Sequence, residues 1–216
     1  MKSAAIFFDL DGTLTDSSEG ITKCVQLALR HFGIPADDLQ SLRVFIGPPL
    51  GNTFQKYGLT AQQADEAIRV FRSRYLTVGK FENVPYPGIP ELLSQLRDMG
   101  LRLFVATSKP EDTARQILEK FQLASYFEEI CGATFDHSRE TKESVIAYLI
   151  EKNQGIEKAL MIGDTDFDVI GANAHHIPTL GVAWGFGTRE SMLRAGAAAV
   201  ADTPEELLHL IQEAVK

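Results

Sequence analysis

This sequence has few cysteines and no long apolar runs, and both features limit the classes of protein to which it can belong. Only two of its 216 residues are cysteines. Cys24 and Cys131 are too few for a disulfide framework and too far apart for a thiolate metal site, so we expect two ordinary buried thiols. No stretch approaches the roughly 20 apolar residues of a membrane-spanning helix. The apolar residues 4–8 are ended by Asp9 and Asp11 before a signal-peptide core could form, which predicts a cytoplasmic protein.

Basic residues are few relative to acidic ones. The chain carries 21 Lys and Arg against 29 Asp and Glu, a formal net charge of -8. This charge repels nucleic acid backbones and anionic membrane surfaces, and no local basic patch opposes it. We therefore expect neither a nucleic acid nor a membrane as partner, and the sequence leaves the oligomeric state open.

Short apolar runs alternate with segments of helical spacing. The runs are residues 4–8, 101–106, 130–132, 159–162 and 179–183. Such alternation is typical of a parallel sheet with crossover helices. Residues 17–82 break the rhythm because they show only helical patterns. The sequence therefore predicts an α/β core formed by residues 1–16 and 83–216, with a helical domain, residues 17–82, inserted into it.

Polar residues follow directly after three of these runs: Asp9, Asp11 and Gly12; Thr107 and Ser108; Asp164 and Asp168. Ligands of an open parallel sheet bind outside the carboxyl ends of its strands, so we expect these residues to meet. An Asp-Gly pair alone is a turn signal. Charge clustered directly after an apolar strand gives the fold no benefit, however, and therefore indicates function.

The aspartates at these strand ends predict a metal site. Asp9 and Asp11 repel each other unless a cation or a proton intervenes. Asp164 and Asp168 also fit the acidic first turn of a helix, but this does not explain Gly163-Asp164 at the end of an apolar strand. Carboxylate oxygens with room for water suit Mg²⁺. We therefore predict a magnesium site that includes Asp9, Asp11 and Asp164.

Hydroxyl and lysine side chains near the second and third runs predict a phosphate site. Thr107 and Ser108 precede Pro110, a residue favoured in the first turn of a helix, where backbone N–H groups bind phosphate. A plain N-cap is the other interpretation. Lys109 and Lys142 compete as the fixed cation. Lys142 has the better case, because it starts a helical pattern where the helix dipole disfavours positive charge unless an anion lies nearby.

Four motifs in this order resemble the haloacid dehalogenase superfamily: Asp9-Leu10-Asp11-Gly12-Thr13-Leu14; Thr107; Lys142; and Gly163-Asp164 with Asp168. The resemblance covers nearly the whole chain. It implies a Rossmann-like core with a helical cap inserted after the first strand. It also implies that Asp164 binds Mg²⁺ and that Asp168 orients that site. The dehalogenases lack an acid at the position of Asp11, so the resemblance implies phosphate transfer instead.

The resemblance further implies a reaction and a role for each matched residue. The reaction would be Mg²⁺-dependent hydrolysis of a small-molecule phosphate monoester through an aspartyl-phosphate intermediate. Asp9 would be the nucleophile and a metal ligand. Asp11 would be the general acid and base, with its backbone carbonyl on the metal. Thr107 would anchor the phosphoryl group, and Lys142 would neutralise it together with the nucleophile.

Within the superfamily the chain most resembles bacterial phosphoglycolate phosphatases. This chain and those proteins share the turn Gly47-Pro48-Pro49-Leu50 and the loop Trp184-Gly185-Phe186-Gly187. We interpret the loop either as a packing element or as a platform for the substrate. The chain departs from many of them in having Thr141-Lys142-Glu143 where they have Lys-Pro. Arg43 is a candidate for contacting a substrate carboxylate, and Gly12 for contacting the phosphate.

Other functions use similar residues and stay open. A 5′-nucleotidase and a sugar phosphomutase of the same superfamily are alternatives. A phosphoacceptor signalling domain belongs to a different class, and it needs no helical insertion of the kind expected at residues 17–82.

Overall fold

A computed structural model describes residues 4–136 and 138–216. Within them, the strands are β1 (Ala5–Phe8), β2 (Thr15–Asp16), β3 (Val84–Pro85), β4 (Arg102–Pro110), β5 (Glu129–Ala133), β6 (Ala159–Gly163), β7 (Thr179–Val182) and β8 (Ala199–Ala201). The α-helices are α1 (Ser18–His31), α2 (Leu50–Lys56), α3 (Ala61–Tyr75), α4 (Ile89–Asp98), α5 (Glu111–Lys120), α6 (Lys142–Lys152), α7 (Asp166–Asn173), α8 (Arg189–Ala195) and α9 (Pro204–Ala214). Short 3-10 helices span Ser41–Phe45, Gly79–Phe81 and Ala124–Tyr126.

The main sheet is parallel and follows the order β5-β4-β1-β6-β7-β8 in the described part of the chain. The predicted parallel sheet with crossover helices is therefore confirmed. The predicted apolar runs lie in β1, β4, β5, β6 and β7. Sequence analysis missed β8, because its three residues are too few to show a pattern.

Helices cover both faces of this sheet. Ile6 and Phe8 of β1 pack into one apolar cluster with residues of α4, α5 and α9. Ala5 and Phe7 pack into another with residues of α6 and α7. Because neither face of β1 is open to water, every residue of the strand is apolar, as expected for a buried parallel strand.

The described residues divide into two compact units. One comprises the residues up to Thr15 and from Pro85 onward, and the other is Asp16–Val84. The second unit contains α1, α2 and α3, and the rings of Phe45 and Phe54 pack inside it with centroids 4.9 Å apart. The predicted insertion, residues 17–82, falls within this unit, and its action as a cap stays a prediction.

The structure agrees with the low cysteine content and with the lack of long apolar runs in the sequence. Cys24 and Cys131 are buried free thiols, as predicted. Burial raises the pKa of both, that of Cys131 to about 12. In the described ranges, no helix has the length and apolar content that crossing a bilayer requires.

Candidate active site

The carboxyl ends of β1, β4 and β6 meet at one edge of the sheet. Phe8, the last residue of β1, lies opposite Val105 of β4 and Ile162 of β6. Because the strands are parallel, the residues that follow each of them come together. The backbone N–H of Asp9 donates to the carbonyl of Ile162 at 2.9 Å. This bond fixes Asp9 beside the end of β6.

Three carboxylates cluster at this edge. One oxygen each from Asp9, Asp164 and Asp168 lies within 4.8 Å of the others, and Asp164 and Asp168 are fully buried. Burial, reinforced by the charges of Asp168 and Asp9, raises the pKa of Asp164 well above its usual range. Burial also raises the pKa of Asp168, against the opposing effect of Lys142. The cluster therefore favours the approach of positive charge.

Hydrogen bonds hold both carboxylate oxygens of Asp164. Oδ1 accepts from the hydroxyl of Thr13 at 3.0 Å, and Oδ2 accepts from the backbone N–H of Phe186 at 2.8 Å. The indole N–H of Trp184 donates to the carbonyl of Thr13 at 3.1 Å. The loop after β7 thus fastens Asp164 to the loop after β1. Residues 184–187 therefore support the carboxylate cluster, a role that the sequence did not distinguish from packing or substrate contact.

Glycine is required where these loops approach Asp164. A Cβ on Gly12 would lie 2.1 Å from Asp164 Oδ2, and one on Gly185 would lie 2.4 Å from the same oxygen. Gly12 also has a φ of +85°, which side-chain-bearing residues rarely adopt. Close packing against Asp164 accounts for both glycines, and the phosphate contact expected of Gly12 stays a prediction.

We expect Gly185→Ala to weaken binding of a divalent cation by about tenfold, because the added methyl group displaces Asp164 or the loop that holds it. Isothermal titration calorimetry with Mg²⁺ measures this directly. The matched control is Gly51→Ala, where the nearest atom to the new Cβ is 3.7 Å away. Equal Mg²⁺ affinity in both variants would contradict the supporting role of the loop.

Lys142 is the buried cation of the cluster. It is the first residue of α6, and its Nζ lies 2.8 Å from Asp9 Oδ1 and 2.7 Å from Asp168 Oδ1. The ammonium also donates to the carbonyl of Ala106 at 2.9 Å. Burial alone would lower the pKa of Lys142, but the carboxylates of Asp168 and Asp9 outweigh it and raise that pKa. Lys142 therefore carries its charge in the folded protein.

Asp168 serves the cluster and the helix α7 together. Its Oδ1 pairs with Lys142. Its Oδ2 accepts from the backbone N–H of Thr165 at 3.1 Å and from the Thr165 hydroxyl at 2.9 Å. The second set of bonds forms a capping box at the start of the helix. The acidic segment was interpreted both as a functional site and as the first turn of a helix, and both interpretations apply to Asp168.

Asp11 lies outside the three-carboxylate cluster. Its Oδ2 pairs with Lys109 Nζ at 2.5 Å, and 17% of the Asp11 side chain and 5% of the Lys109 side chain are exposed. The sequence placed the carboxylate of Asp11 with those of Asp9 and Asp164, whereas the structure groups Asp168 with them. The chain turns after β1, where the N–H of Leu14 donates to the carbonyl of Leu10, and this turn separates Asp11 from Asp9.

Thr107 and Ser108 belong to a strand and not to the start of a helix. β4 continues to Pro110, and α5 begins at Glu111 with Pro110 as its N-cap. The helix predicted near Pro110 is therefore present, but Thr107 and Ser108 precede it as residues of the strand. Thr107 is buried, and its hydroxyl accepts from the backbone N–H of Lys109 at 3.2 Å. Ser108 is exposed. Phosphate binding by either residue stays a prediction.

Arg43 lies in the second compact unit. It belongs to the 3-10 helix Ser41–Phe45, and its guanidinium donates to Gln40 Oε1 at 3.4 Å. The nearby turn, residues 47–50, leads into α2, which begins at Leu50. The expected contact of Arg43 with a substrate carboxylate stays a prediction.

Sequence reasoning missed the residues that hold the cluster. Thr13 lies inside the first motif, but nothing in its spacing indicated a bond to Asp164. Gly185 and Gly187, two glycines separated by one residue after a strand, did carry a signal, since such spacing allows another chain segment to approach closely. Lys109 was considered only as the cation of the phosphate site. Its pairing with Asp11 depends on the register of β1 and β4, which the sequence alone does not give.

The charges at this edge fit a divalent cation. Among the described residues, four aspartates face two lysines there: Asp9, Asp11, Asp164 and Asp168 against Lys109 and Lys142. When all are ionised, two negative charges are left over, which is the charge that one divalent cation balances. Carboxylate oxygens are also the ligands that hard divalent cations prefer.

Comparison with known proteins points to one family. Residues 6–182 match the haloacid dehalogenase-like hydrolase family. A 5′-nucleotidase of Pseudomonas aeruginosa is 44% identical over 190 residues, covering 87% of this chain and 86% of that protein. The tyrosine-protein kinase PtkA of Mycobacterium tuberculosis is 41% identical over 205 residues, covering 94% and 70%. A phosphoglycolate phosphatase of Aquifex aeolicus is 32% identical over 182 residues, covering 84% and 85%.

Comparison with solved structures points to the same family. A protein of Clostridium acetobutylicum described as a predicted phosphatase has a TM-score of 0.93 and 46% identity, covering 98% of this chain and 99% of that one. The expected Rossmann-like fold is thereby confirmed. Because the family match extends over most of the sequence and its relatives include named phosphatases, this chain belongs to the haloacid dehalogenase-like hydrolase family and is one of its phosphatases.

Proposed function

We propose that the protein hydrolyses a small-molecule phosphate monoester with Mg²⁺, through an aspartyl-phosphate formed on Asp9. The observation that carries this proposal is the cluster of Asp9, Asp164 and Asp168 around the buried ammonium of Lys142. A fold gains no stability from burying two carboxylates beside a third, half-buried one at a strand edge. Their grouping is useful when a cation and a dianionic phosphate occupy the same edge.

Asp9 and Asp164 would hold the Mg²⁺ ion, with Asp11 offering its backbone carbonyl. Asp168, whose oxygens bond to Lys142 and Thr165, would orient the site. Bound there, Mg²⁺ supplies positive charge that offsets the repulsion between a carboxylate and the incoming phosphate. The preference for Mg²⁺ over other divalent ions rests on the small number of carboxylates, since Mg²⁺ keeps several of its waters.

Asp9 is oriented for attack by groups that bind one of its oxygens. Oδ1 accepts from the backbone N–H of Leu10 at 2.7 Å and lies 2.8 Å from Lys142 Nζ. A carboxylate oxygen of Asp9 attacks phosphorus, the ester P–O bond breaks, and the leaving oxygen takes a proton from Asp11. Thr107 holds a phosphoryl oxygen during this step, and the charge of Lys142 offsets the charges of Asp9 and the phosphoryl group.

The second half of the reaction regenerates the enzyme. Water gives a proton to Asp11 and attacks phosphorus, and the bond between phosphorus and Asp9 breaks to release inorganic phosphate. Asp11 thereby donates a proton in the first step and recovers one in the second. Closure of residues 17–82 as a cap would keep bulk water away from the first step.

The substrate is expected to be a small phosphorylated metabolite. Relatives named 5′-nucleotidase and phosphoglycolate phosphatase favour nucleoside 5′-monophosphates and 2-phosphoglycolate as first candidates, and the former relative has the higher identity, 44% against 32%. A relative named tyrosine-protein kinase adds phosphotyrosine to the compounds worth testing.

The test is release of inorganic phosphate from a panel of 2-phosphoglycolate, nucleoside 5′-monophosphates, sugar phosphates and phosphotyrosine. We expect turnover of at least one of these compounds with Mg²⁺, and a loss of about a hundredfold or more after chelation with EDTA, reversed by added Mg²⁺. Undiminished activity in excess EDTA would contradict the metal requirement.

Two other outcomes point to the alternative functions. Isomerised sugar phosphate without release of phosphate would indicate a mutase. A phosphoaspartate that persists for minutes without turnover would indicate a phosphoacceptor domain.

A further inference from the structure

Asp11 and Lys109 form an ion pair separate from the carboxylate cluster. Lys109 lies at the end of β4, and its Nζ is 2.5 Å from Asp11 Oδ2. Lys142, by contrast, pairs with Asp9 and Asp168. The two buried lysines thus serve different carboxylates, and each stabilises a different part of the site.

The two oxygens of Asp11 differ in access. Oδ1 is buried and accepts no hydrogen bond from the described residues. The exposed 17% of the Asp11 side chain therefore excludes this oxygen. In this conformation Oδ2 is the oxygen through which Asp11 can reach a substrate. Lys109 bonds to that same oxygen.

A substrate oxygen bonded to Asp11 Oδ2 would therefore lie next to the ammonium of Lys109. Lys109 is held in place there, since only 5% of its side chain is exposed and its backbone N–H is bonded to Thr107. A fixed ammonium close to an oxygen that gains negative charge stabilises that charge more strongly in a buried site than in water.

We propose that Lys109 acts at the leaving-group side of the site, where it holds Asp11 Oδ2 in place and stabilises negative charge on the departing oxygen. This inference rests on the proposed function, in which Asp11 protonates that oxygen. Before this step the carboxyl group of Asp11 carries the proton. The ester P–O bond breaks with its electron pair going to oxygen, that oxygen takes the proton from Asp11, and Asp11 becomes the carboxylate that pairs with Lys109. Lys109 keeps all of its own protons. In this proposal Lys142 serves the attacking carboxylate and Lys109 serves the leaving group.

The proposal predicts that the effect of changing Lys109 on kcat/KM depends on the leaving group of the substrate. An alkoxide needs charge stabilisation and a proton, whereas p-nitrophenolate leaves with little help. We expect Lys109→Met to lower kcat/KM for the best alkyl phosphate of the panel by about a hundredfold, and for p-nitrophenyl phosphate by less than about fivefold. Lys109→Arg, which keeps the charge, should recover a large part of the loss with the alkyl phosphate.

A double-mutant cycle tests whether Lys109 and Asp11 act on the same oxygen. The Asp11→Asn/Lys109→Met protein should lose no more kcat/KM for the alkyl phosphate than Asp11→Asn alone. It also removes the ammonium together with the carboxylate that pairs with it, so the net charge at this position is kept and poor folding is separated from lost catalysis. Additive losses would overturn the assignment.

Other outcomes identify the competing roles. Equal losses of kcat/KM with both substrates would overturn the proposal and indicate that Lys109 binds phosphate or maintains structure. Failure of the proposed function is recognised separately: either the wild-type protein would release no phosphate from either substrate, or Asp9→Asn would still hydrolyse them, whatever Lys109 does.

Discussion

Asp9→Asn is expected to abolish turnover, lowering kcat by about 10⁴-fold or more. The amide is a poor nucleophile toward phosphorus, so no phosphoenzyme forms. The substitution keeps the size of the side chain and an oxygen that can accept the Leu10 N–H bond and the bond from Lys142. Release of phosphate from the best substrate of the panel, with capture of a labelled phosphoenzyme by acid quench, measures the loss.

The control for this variant is Asp98→Asn, which makes the same change at an exposed position at the end of α4. We expect wild-type kcat and KM for Asp98→Asn. Appreciable activity in Asp9→Asn, beyond that of traces of wild-type protein, would refute Asp9 as the nucleophile. Label recovered on another residue in the wild-type protein would refute it as well.

Lys142→Met is expected to remove activity and also to destabilise the protein by about 3–5 kcal/mol. The buried ammonium has bonds to Asp9, Asp168 and the carbonyl of Ala106. Methionine fills a similar volume but leaves the buried carboxylate of Asp168 and the half-buried carboxylate of Asp9 without their cation. Urea unfolding in the presence of EDTA measures the stability of the protein without added metal.

Added Mg²⁺ should restore part of this stability, because a bound cation replaces some of the missing charge. Lys158→Met, at an exposed position before β6, is the matched control and should change stability by less than about 0.5 kcal/mol. The double variant Lys142→Met/Asp168→Asn should regain stability without regaining activity. Wild-type stability in Lys142→Met alone would show that the cluster does not depend on its lysine.

The fold was predictable where the sequence carries a repeating signal. β1, β4, β5, β6 and β7 were all visible as apolar runs, because a parallel strand covered on both faces has few polar positions. The short strand β8 was not visible, since its three residues carry no period. The end of β4 was also misplaced. The prediction ended this strand before Thr107, whereas β4 extends to Pro110 with a shift of register after Ala106.

The candidate site was predictable to the level of residue types at strand ends. Asp9, Asp164 and Lys142 lie together because parallel strands bring their carboxyl ends to one edge, and that rule can be applied without coordinates. Which carboxylate joins them could not be predicted. The selection of Asp168 over Asp11 depends on the turn after β1 and on the first turn of α7, and both are set by bonds within the loops.

The supporting contacts were beyond sequence reasoning for a different reason. Thr13 and Asp164 are 151 residues apart in sequence, and their hydrogen bond exists only once β1 and β6 are paired. Trp184 and Phe186 contribute through an indole N–H and a backbone N–H. Neither donor requires a particular motif, so neither leaves a pattern that can be recognised along the chain.

The central position of β1 affects how the protein is made. β1 precedes the other strands of the main sheet in sequence, but it lies between β4, which begins at Arg102, and β6, which begins at Ala159. A nascent chain therefore exposes the apolar segment Ala5–Phe8 with an unpaired edge until Gly163 has left the ribosome. Exposed strand edges of this kind favour aggregation, and contacts between distant segments slow folding. The first compact unit thus completes its folding late in synthesis, when shielding of that segment by a chaperone is most useful.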